Sequence, residues 1–141
     1  MYKSDFSQYL AEKTGISPAI LSQLIEKNFN IFDVAQILIE KYDIDKEKLG
    51  RAWGDYLGYA YVNPNKSIVN QEYIDKIGIS FIQMNKILPL YKLGKAVTLC
   101  TSNPTNPSIA GHTQKKLEEL VSLVFCFPFD IKEYLEKNKL K

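Results

Sequence analysis

The sequence has few of the residue types from which catalytic and metal sites are built. Its 141 residues include one histidine (His112), two cysteines (Cys100 and Cys126) and one arginine (Arg51). One histidine and two distant cysteines cannot form the usual ligand set of a zinc site. The seven glycines never precede a lysine with the spacing G-x-x-x-x-G-K-[ST], so the sequence has no phosphate-binding P-loop. We therefore expect a binding or interaction module that is not an enzyme and holds no metal.

Strong charge and long apolar runs are missing too. The net charge is +2 at pH 7, and a single arginine without any basic run does not predict a nucleic-acid surface. The longest apolar stretch, residues 120–129, is interrupted by Ser122 and Pro128 and is much shorter than a membrane helix. Residues 1–5 lack the charged-then-apolar pattern of a signal peptide. These absences predict a cytoplasmic protein that binds no nucleic acid and does not insert into a membrane.

The remaining composition is that of a globular protein, with 45% apolar and 24% charged residues. A chain of this length buries enough surface to fold without disulfides or metals. Cys100 and Cys126 both lie inside apolar stretches. We interpret them as buried thiols of a reducing compartment, with a redox pair on neighbouring strands as the alternative.

The N-terminal part of the sequence contains a repeat. Residues 5–16 align without a gap with residues 33–44, and Asp, Gln, Leu, Glu, Lys and Ile coincide. Such a period is typical of a duplicated supersecondary unit. We interpret it as two helix-turn-helix units, 5–27 and 33–57; two unrelated amphipathic helices with common residues are the alternative. Gly15 suits the left-handed end of the first helix.

After residue 58 the pattern becomes mixed. Residues 96–101 and 121–127 read as buried strands, and the helix predicted between them makes a right-handed β-α-β unit with parallel strands. Asp130, with Glu133 three positions later, predicts the cap of a last helix. The other predicted elements are a strand at 59–62, helices at 70–77 and 79–85, and an edge strand at 87–91.

The predicted fold class is α+β. The expected architecture is an N-terminal helical repeat lobe (1–58) packed with a small α/β lobe (59–141). The second lobe combines a β-hairpin, the right-handed β-α-β unit and a C-terminal helix. The repeat lobe is acidic, because residues 1–62 hold seven basic and nine acidic side chains, whereas residues 63–141 hold eleven and seven.

Four segments of the sequence, taken in their order along the chain, resemble the amino-terminal domain of the type II secretion and type IV pilus assembly ATPases. The resemblance covers nearly the whole chain and is carried by the helical repeat, residues 59–62, residues 87–90 and residues 99–106. It implies a non-catalytic domain that docks a motor to the cytoplasmic domain of an inner-membrane assembly protein. It also implies contact with the ATPase core of the intact protein and recruitment to the inner face of the inner membrane. A stand-alone adaptor of the same fold is an alternative.

A further alternative is a cyclic di-GMP receptor with an altered motif. A subset of this family binds that ligand through helical motifs beginning arginine-leucine-glycine. The corresponding positions here are Asp5 and Asp33 for the arginines, and Ser7 and Ala35 for the glycines. Aspartate repels a phosphodiester and offers no guanidinium donors, so we expect weak or absent binding and no other cofactor. The ligand positions carried over from the motif are Asp5, Phe6, Ser7, Gln8, Asp33, Val34, Ala35 and Gln36.

Tyrosine is frequent in the repeat lobe, which also holds the single arginine and the single tryptophan. These three residue types most often anchor protein interfaces. We therefore expect the repeat lobe to dock a partner, unless its tyrosines belong to the core. The candidate interface residues are Tyr2, Tyr9, Tyr42, Arg51, Tyr56 and Tyr59.

Overall fold

The computed structural model describes residue 2 and residues 5–138, and it confirms an α+β fold. The chain divides into two compact units, Met1–Gly58 and Tyr59–Lys141. None of the helices in the described ranges has the length and apolar character to cross a membrane.

The first unit consists of four helices whose ends are set by their turn residues. Gly15 has a φ of 78° and closes the first helix in the left-handed conformation, as predicted. The side chains of Ser17 and Asp45 accept hydrogen bonds from the backbone N–H groups of Ala19 and Lys48 and thereby cap the second and fourth helices. The helices are α1 (Phe6–Thr14), α2 (Pro18–Lys27), α3 (Ile31–Lys41) and α4 (Lys46–Leu57).

Trp53 of α4 is the centre of the first core. It is fully buried, and its indole lies against the rings of Phe6 from α1 and Phe32 from α3, at centroid distances of 5.0 and 5.7 Å. Aromatic rings at these distances add to the stability that their burial provides. The same core contains the fully buried aliphatic side chains Leu10, Leu21, Val34, Leu38 and Leu49.

The second unit contains a three-stranded sheet with helices. Its strands are β1 (Ile87–Leu93), β2 (Ala96–Thr101) and β3 (Leu120–Phe125), in the order β1-β2-β3. β1 pairs antiparallel with β2, and β2 pairs parallel with β3, which confirms the hairpin and the parallel β-α-β strands. The helices are α5 (Gln71–Ile77), α6 (Ile79–Asn85), α7 (Pro107–Leu117) and α8 (Pro128–Lys137), with a 3-10 turn at Pro64–Lys66.

Three sequence predictions for this unit are wrong. Residues 59–62 form no strand: a single parallel bridge joins Tyr61 to Phe125, and Pro64 then starts the 3-10 turn. α8 begins at Pro128, not after Asp130, because proline is favoured at the first helical position.

The third concerns β3, which was expected to be a buried strand. Only its last residue, Phe125, is buried, and Leu120 and Ser122 are exposed. β3 lies at an edge of the sheet, and among the described residues only the bridge from Tyr61 pairs with the outer side of this strand.

Candidate functional site

The first motif segment lies at the start of α1. Asp5 is exposed, and its Oδ1 accepts a hydrogen bond of 2.8 Å from the Tyr56 hydroxyl of α4. Phe6 is buried against Trp53. Ser7 Oγ accepts a hydrogen bond of 3.3 Å from Ser22 Oγ of α2, and Gln8 is exposed. The side chains of Asp5 and Ser7 thus contact other helices of the same unit.

The second motif segment has a different setting. Asp33 is exposed in the first turn of α3, and its backbone N–H donates to the carbonyl of Asn30 at 3.0 Å. Val34 and Ala35 are fully buried, and Gln36 is half-buried. Positions that align in the sequence are therefore not equivalent in the helices, since Asp5 precedes α1 whereas Asp33 is the third residue of α3.

The electrostatics of these positions do not favour an anion. The eight motif positions supply two carboxylates and no cationic side chain. The single arginine, Arg51, is exposed on α4. A phosphodiester is best held by guanidinium or ammonium groups, so a ligand with two phosphates would meet repulsion at Asp5 and Asp33.

The candidate interface tyrosines divide into packed and exposed residues. The hydroxyl of Tyr2 accepts a hydrogen bond from Trp53 Nε1, and burial raises the pKa of Tyr2. The hydroxyl of Tyr9 donates to the carbonyl of Ala52 at 2.9 Å, and burial also raises the pKa of Tyr9. Tyr2, Tyr9 and Tyr56 are each half-buried and form ring contacts with one another or with Phe6.

The remaining interface candidates are more open to solvent. Tyr42 is exposed after α3, Arg51 is exposed on α4, and Tyr59 is half-buried at the start of the second unit. The contacts of the packed tyrosines give those residues a part in the fold of the first unit. An interface role for any of the six stays a prediction.

The two cysteines are buried free thiols, as predicted. Cys100 lies on β2, and Cys126 directly follows β3, with its N–H donating to the carbonyl of Thr101 at 3.1 Å. Burial raises the pKa of the Cys126 thiol, and a hydrogen bond with Cys100 raises it further. A thiol that is held neutral in this way is a poor nucleophile.

Asp130 is a buried carboxylate that the sequence analysis took for a helix cap. It is 0% exposed, and its Oδ2 accepts a hydrogen bond of 3.1 Å from the Tyr61 hydroxyl. Asn65 Nδ2 donates to the Asp130 carbonyl at 3.0 Å, so the segment before α5 is fastened to α8. No spacing signals this pairing, because Tyr61 and Asp130 are 69 positions apart.

A cleft between α6 and α8 is a second feature that the sequence analysis missed. Its volume is about 340 Å³. Its inner surface is apolar, and lysine side chains lie at its rim. The lining residues are Gln83, Lys86, Pro128, Ile131, Lys132, Leu135 and Glu136.

Comparison with known proteins adds a family and a fold. The model of the MshEN domain family matches residues 57–140. Among solved structures, one described as "Structure of MshE with cdg" is similar to the chain, with a TM-score of 0.65 and 15% sequence identity. The alignment covers 93% of this chain and 96% of that one. At this identity the likeness shows a shared fold. No curated protein matches the chain.

Proposed function

Because the chain belongs to the MshEN domain family, we propose that it is a non-catalytic docking domain of a type II secretion or type IV pilus assembly motor. In this proposal it binds the cytoplasmic domain of an inner-membrane assembly protein. Docking would recruit the motor to the inner face of the inner membrane. The absence of a P-loop from the sequence supports a domain that performs no ATP hydrolysis itself.

The observation that carries the proposal is the apolar surface of α2 and the turn that follows it. Phe29, in this turn, is 109% exposed, and Ile20 of α2 is 39% exposed. Leu21 is the only residue of this apolar helix that is buried. Burying a phenylalanine side chain is worth roughly 1.5–3 kcal/mol, which a partner covering Phe29 would recover.

The charge of this unit indicates the kind of partner. Residues 1–62 hold seven basic and nine acidic side chains, so a complementary partner surface is basic. Such charges mainly accelerate the encounter of two proteins. Association should therefore slow as the salt concentration rises.

Cyclic di-GMP binding is the second candidate function, because the structure similar to this chain is described with cdg. The motif positions support it less well. Asp5 is bound to Tyr56, Asp33 stands where binding members have arginine, and Ala35 is fully buried. A stand-alone adaptor would differ from the docking domain in not being joined to an ATPase core.

The docking proposal is tested by biolayer interferometry. The full chain is immobilised, and the cytoplasmic domain of the inner-membrane assembly protein from the same organism is the analyte. We expect Phe29→Ser to weaken binding by about tenfold or more, as for an aromatic anchor. Ile68→Ser removes another highly exposed apolar side chain, 75% exposed, from the second unit and is the control. Absence of binding, or equal binding by Phe29→Ser, contradicts the proposal.

A further inference from the structure

The cleft between α6 and α8 has an apolar floor. Ile131 and Leu135, one turn apart on α8, are 1% and 6% exposed, and Pro128 lies on the same side of that helix. The volume of about 340 Å³ is at the lower end of the range for ligand pockets. A cleft of this size and lining suits one large apolar side chain better than an extended cofactor.

The rim of the cleft is positively charged. Lys86 and Lys132 are both exposed. The one carboxylate of the lining, that of Glu136, lies 4.0 Å from Lys132 Nζ, so the two charges partly compensate each other and Lys86 supplies the net positive charge of the lining. Among the described residues, Lys86 makes no ion pair. Residues 63–141 as a whole hold eleven basic and seven acidic side chains.

The backbone fixes the position of Lys86. This residue closes α6 with a φ of 53°, a left-handed conformation that glycine or asparagine adopts more readily than lysine. Its carbonyl accepts a hydrogen bond of 3.4 Å from the N–H of Ser102. Two residues earlier, Met84 is 80% exposed. An exposed, flexible thioether can adapt to the shape of a partner.

We propose that this cleft is a docking site for an acidic peptide segment that carries one large apolar side chain. The apolar side chain occupies the floor formed by Ile131 and Leu135, and flanking carboxylates pair with Lys86 and Lys132. The proposal rests on the docking function above, because the partner of the domain supplies this segment. It adds a contact at a cleft with lysines at its rim to the contact proposed for Phe29 and Ile20.

The test uses the full chain and a defined probe. The probe is a fluorescein-labelled peptide of sequence Glu-Asp-Leu-Phe-Glu-Asp, compared with Lys-Lys-Leu-Phe-Lys-Lys. We expect the acidic peptide alone to raise the anisotropy and to shift the methyl resonances of Ile131 and Leu135. The double variant Lys86→Glu/Lys132→Glu should weaken binding by about tenfold or more. Lys115→Glu, an exposed lysine of α7 outside the lining, is the matched control and should bind as the wild type does.

Several outcomes overturn the inference. Equal binding of both peptides excludes charge recognition, and binding without shifts at Ile131 and Leu135 places the peptide elsewhere. Binding of phosphatidylglycerol vesicles but not of the acidic peptide would assign the cleft to an anionic membrane surface instead.

The proposed docking function and the proposed peptide site in the cleft can be contradicted separately. If the assembly protein binds the wild type and the double variant equally, the proposed role of the cleft is contradicted and the docking function is supported. If the acidic peptide binds in the cleft and no assembly protein binds the chain, the docking function fails and the cleft remains an acidic-peptide site.

Discussion

The hydroxyl of Tyr56 donates a hydrogen bond of 2.8 Å to Oδ1 of Asp5, which joins the start of α1 to α4. Hydrogen bonds to a charged acceptor are worth roughly 1.5–3 kcal/mol when they are shielded from water, and less at an exposed site such as this one. Asp5 takes the position at which the family resemblance predicts the first arginine of the cyclic di-GMP motif. The aspartate accepts this hydrogen bond from Tyr56, which arginine could not do because its side chain has no acceptor.

We predict that the unmodified chain binds cyclic di-GMP weakly or not at all. Combining Asp5→Arg and Asp33→Arg with Ser7→Gly and Ala35→Gly should restore part of the affinity, since it returns the cationic donors and the small residues of the motif. Isothermal titration calorimetry measures the affinity of the unmodified chain and of the variant for cyclic di-GMP. The glycine within α3 costs about 1 kcal/mol of helix stability, so circular dichroism must show that the variant is folded.

Tyr56→Phe is the control for this experiment. It breaks the hydrogen bond to Asp5 without adding a cation, and it should not create a binding site. Micromolar binding by the unmodified chain would show that the aspartates do not exclude the ligand.

The stability of the first unit should fall in strongly alkaline solution. Burial raises the pKa of Tyr2 above that of an unfolded tyrosine, which is about 10. The contribution of Tyr2 to stability is complete below that pH and is lost at higher pH, because the unfolded chain then ionises more readily than the folded one. Urea unfolding followed by circular dichroism should show this fall, and Tyr2→Phe should flatten it. If the free energy of unfolding of Tyr2→Phe falls with pH as steeply as that of the wild type, the effect belongs to another group.

The fold was predictable where local chemistry sets the structure. Gly15, Ser17 and Asp45 have strong turn and cap preferences, and each of them ends or caps a helix in the structure. The parallel pairing of β2 with β3 agrees with the helix between them, since parallel neighbours need a long crossover connection. The Asp130 prediction was wrong because Pro128 competes for the same helix start.

The candidate site was less predictable, because its contacts join distant parts of the sequence. The motif positions could be aligned with a family, but the hydrogen bond between Asp5 and Tyr56 spans 51 residues and leaves no pattern. The cleft depends on α6 lying beside α8, which neither helix encodes by itself. Its lysines are ordinary surface residues until that packing is known.

Replacing Asp130 should destabilise the second unit more than replacing Tyr61. Tyr61→Phe removes one hydrogen bond to a buried carboxylate, whereas Asp130→Ala removes the carboxylate that accepts this bond and opens space around α8. We expect a loss of about 1–3 kcal/mol for Asp130→Ala and a smaller loss for Tyr61→Phe. Lys132→Ala, at an exposed position of the same helix, is the control and should change stability by less than about 0.5 kcal/mol. Urea unfolding provides the measurement, and equal stability of wild type and Asp130→Ala would contradict the prediction.

The thiols of Cys100 and Cys126 should resist modification in the native protein. Both are 0% exposed, and burial together with the hydrogen bond between them raises the pKa of Cys126. A thiol reagent such as DTNB needs an accessible thiolate, so it should react only when the second unit opens. Both thiols should react at once in concentrated urea and slowly in buffer.

The rate of this reaction also measures the opening of the second unit. If opening and closing are fast, the rate follows the population of the open state. Asp130→Ala should then accelerate labelling by about tenfold for each 1.4 kcal/mol of lost stability, and Lys132→Ala should leave the rate unchanged. Immediate reaction of either cysteine in the native wild type would show that the thiol is accessible. That result would contradict the burial of the thiol and would favour the redox-pair interpretation.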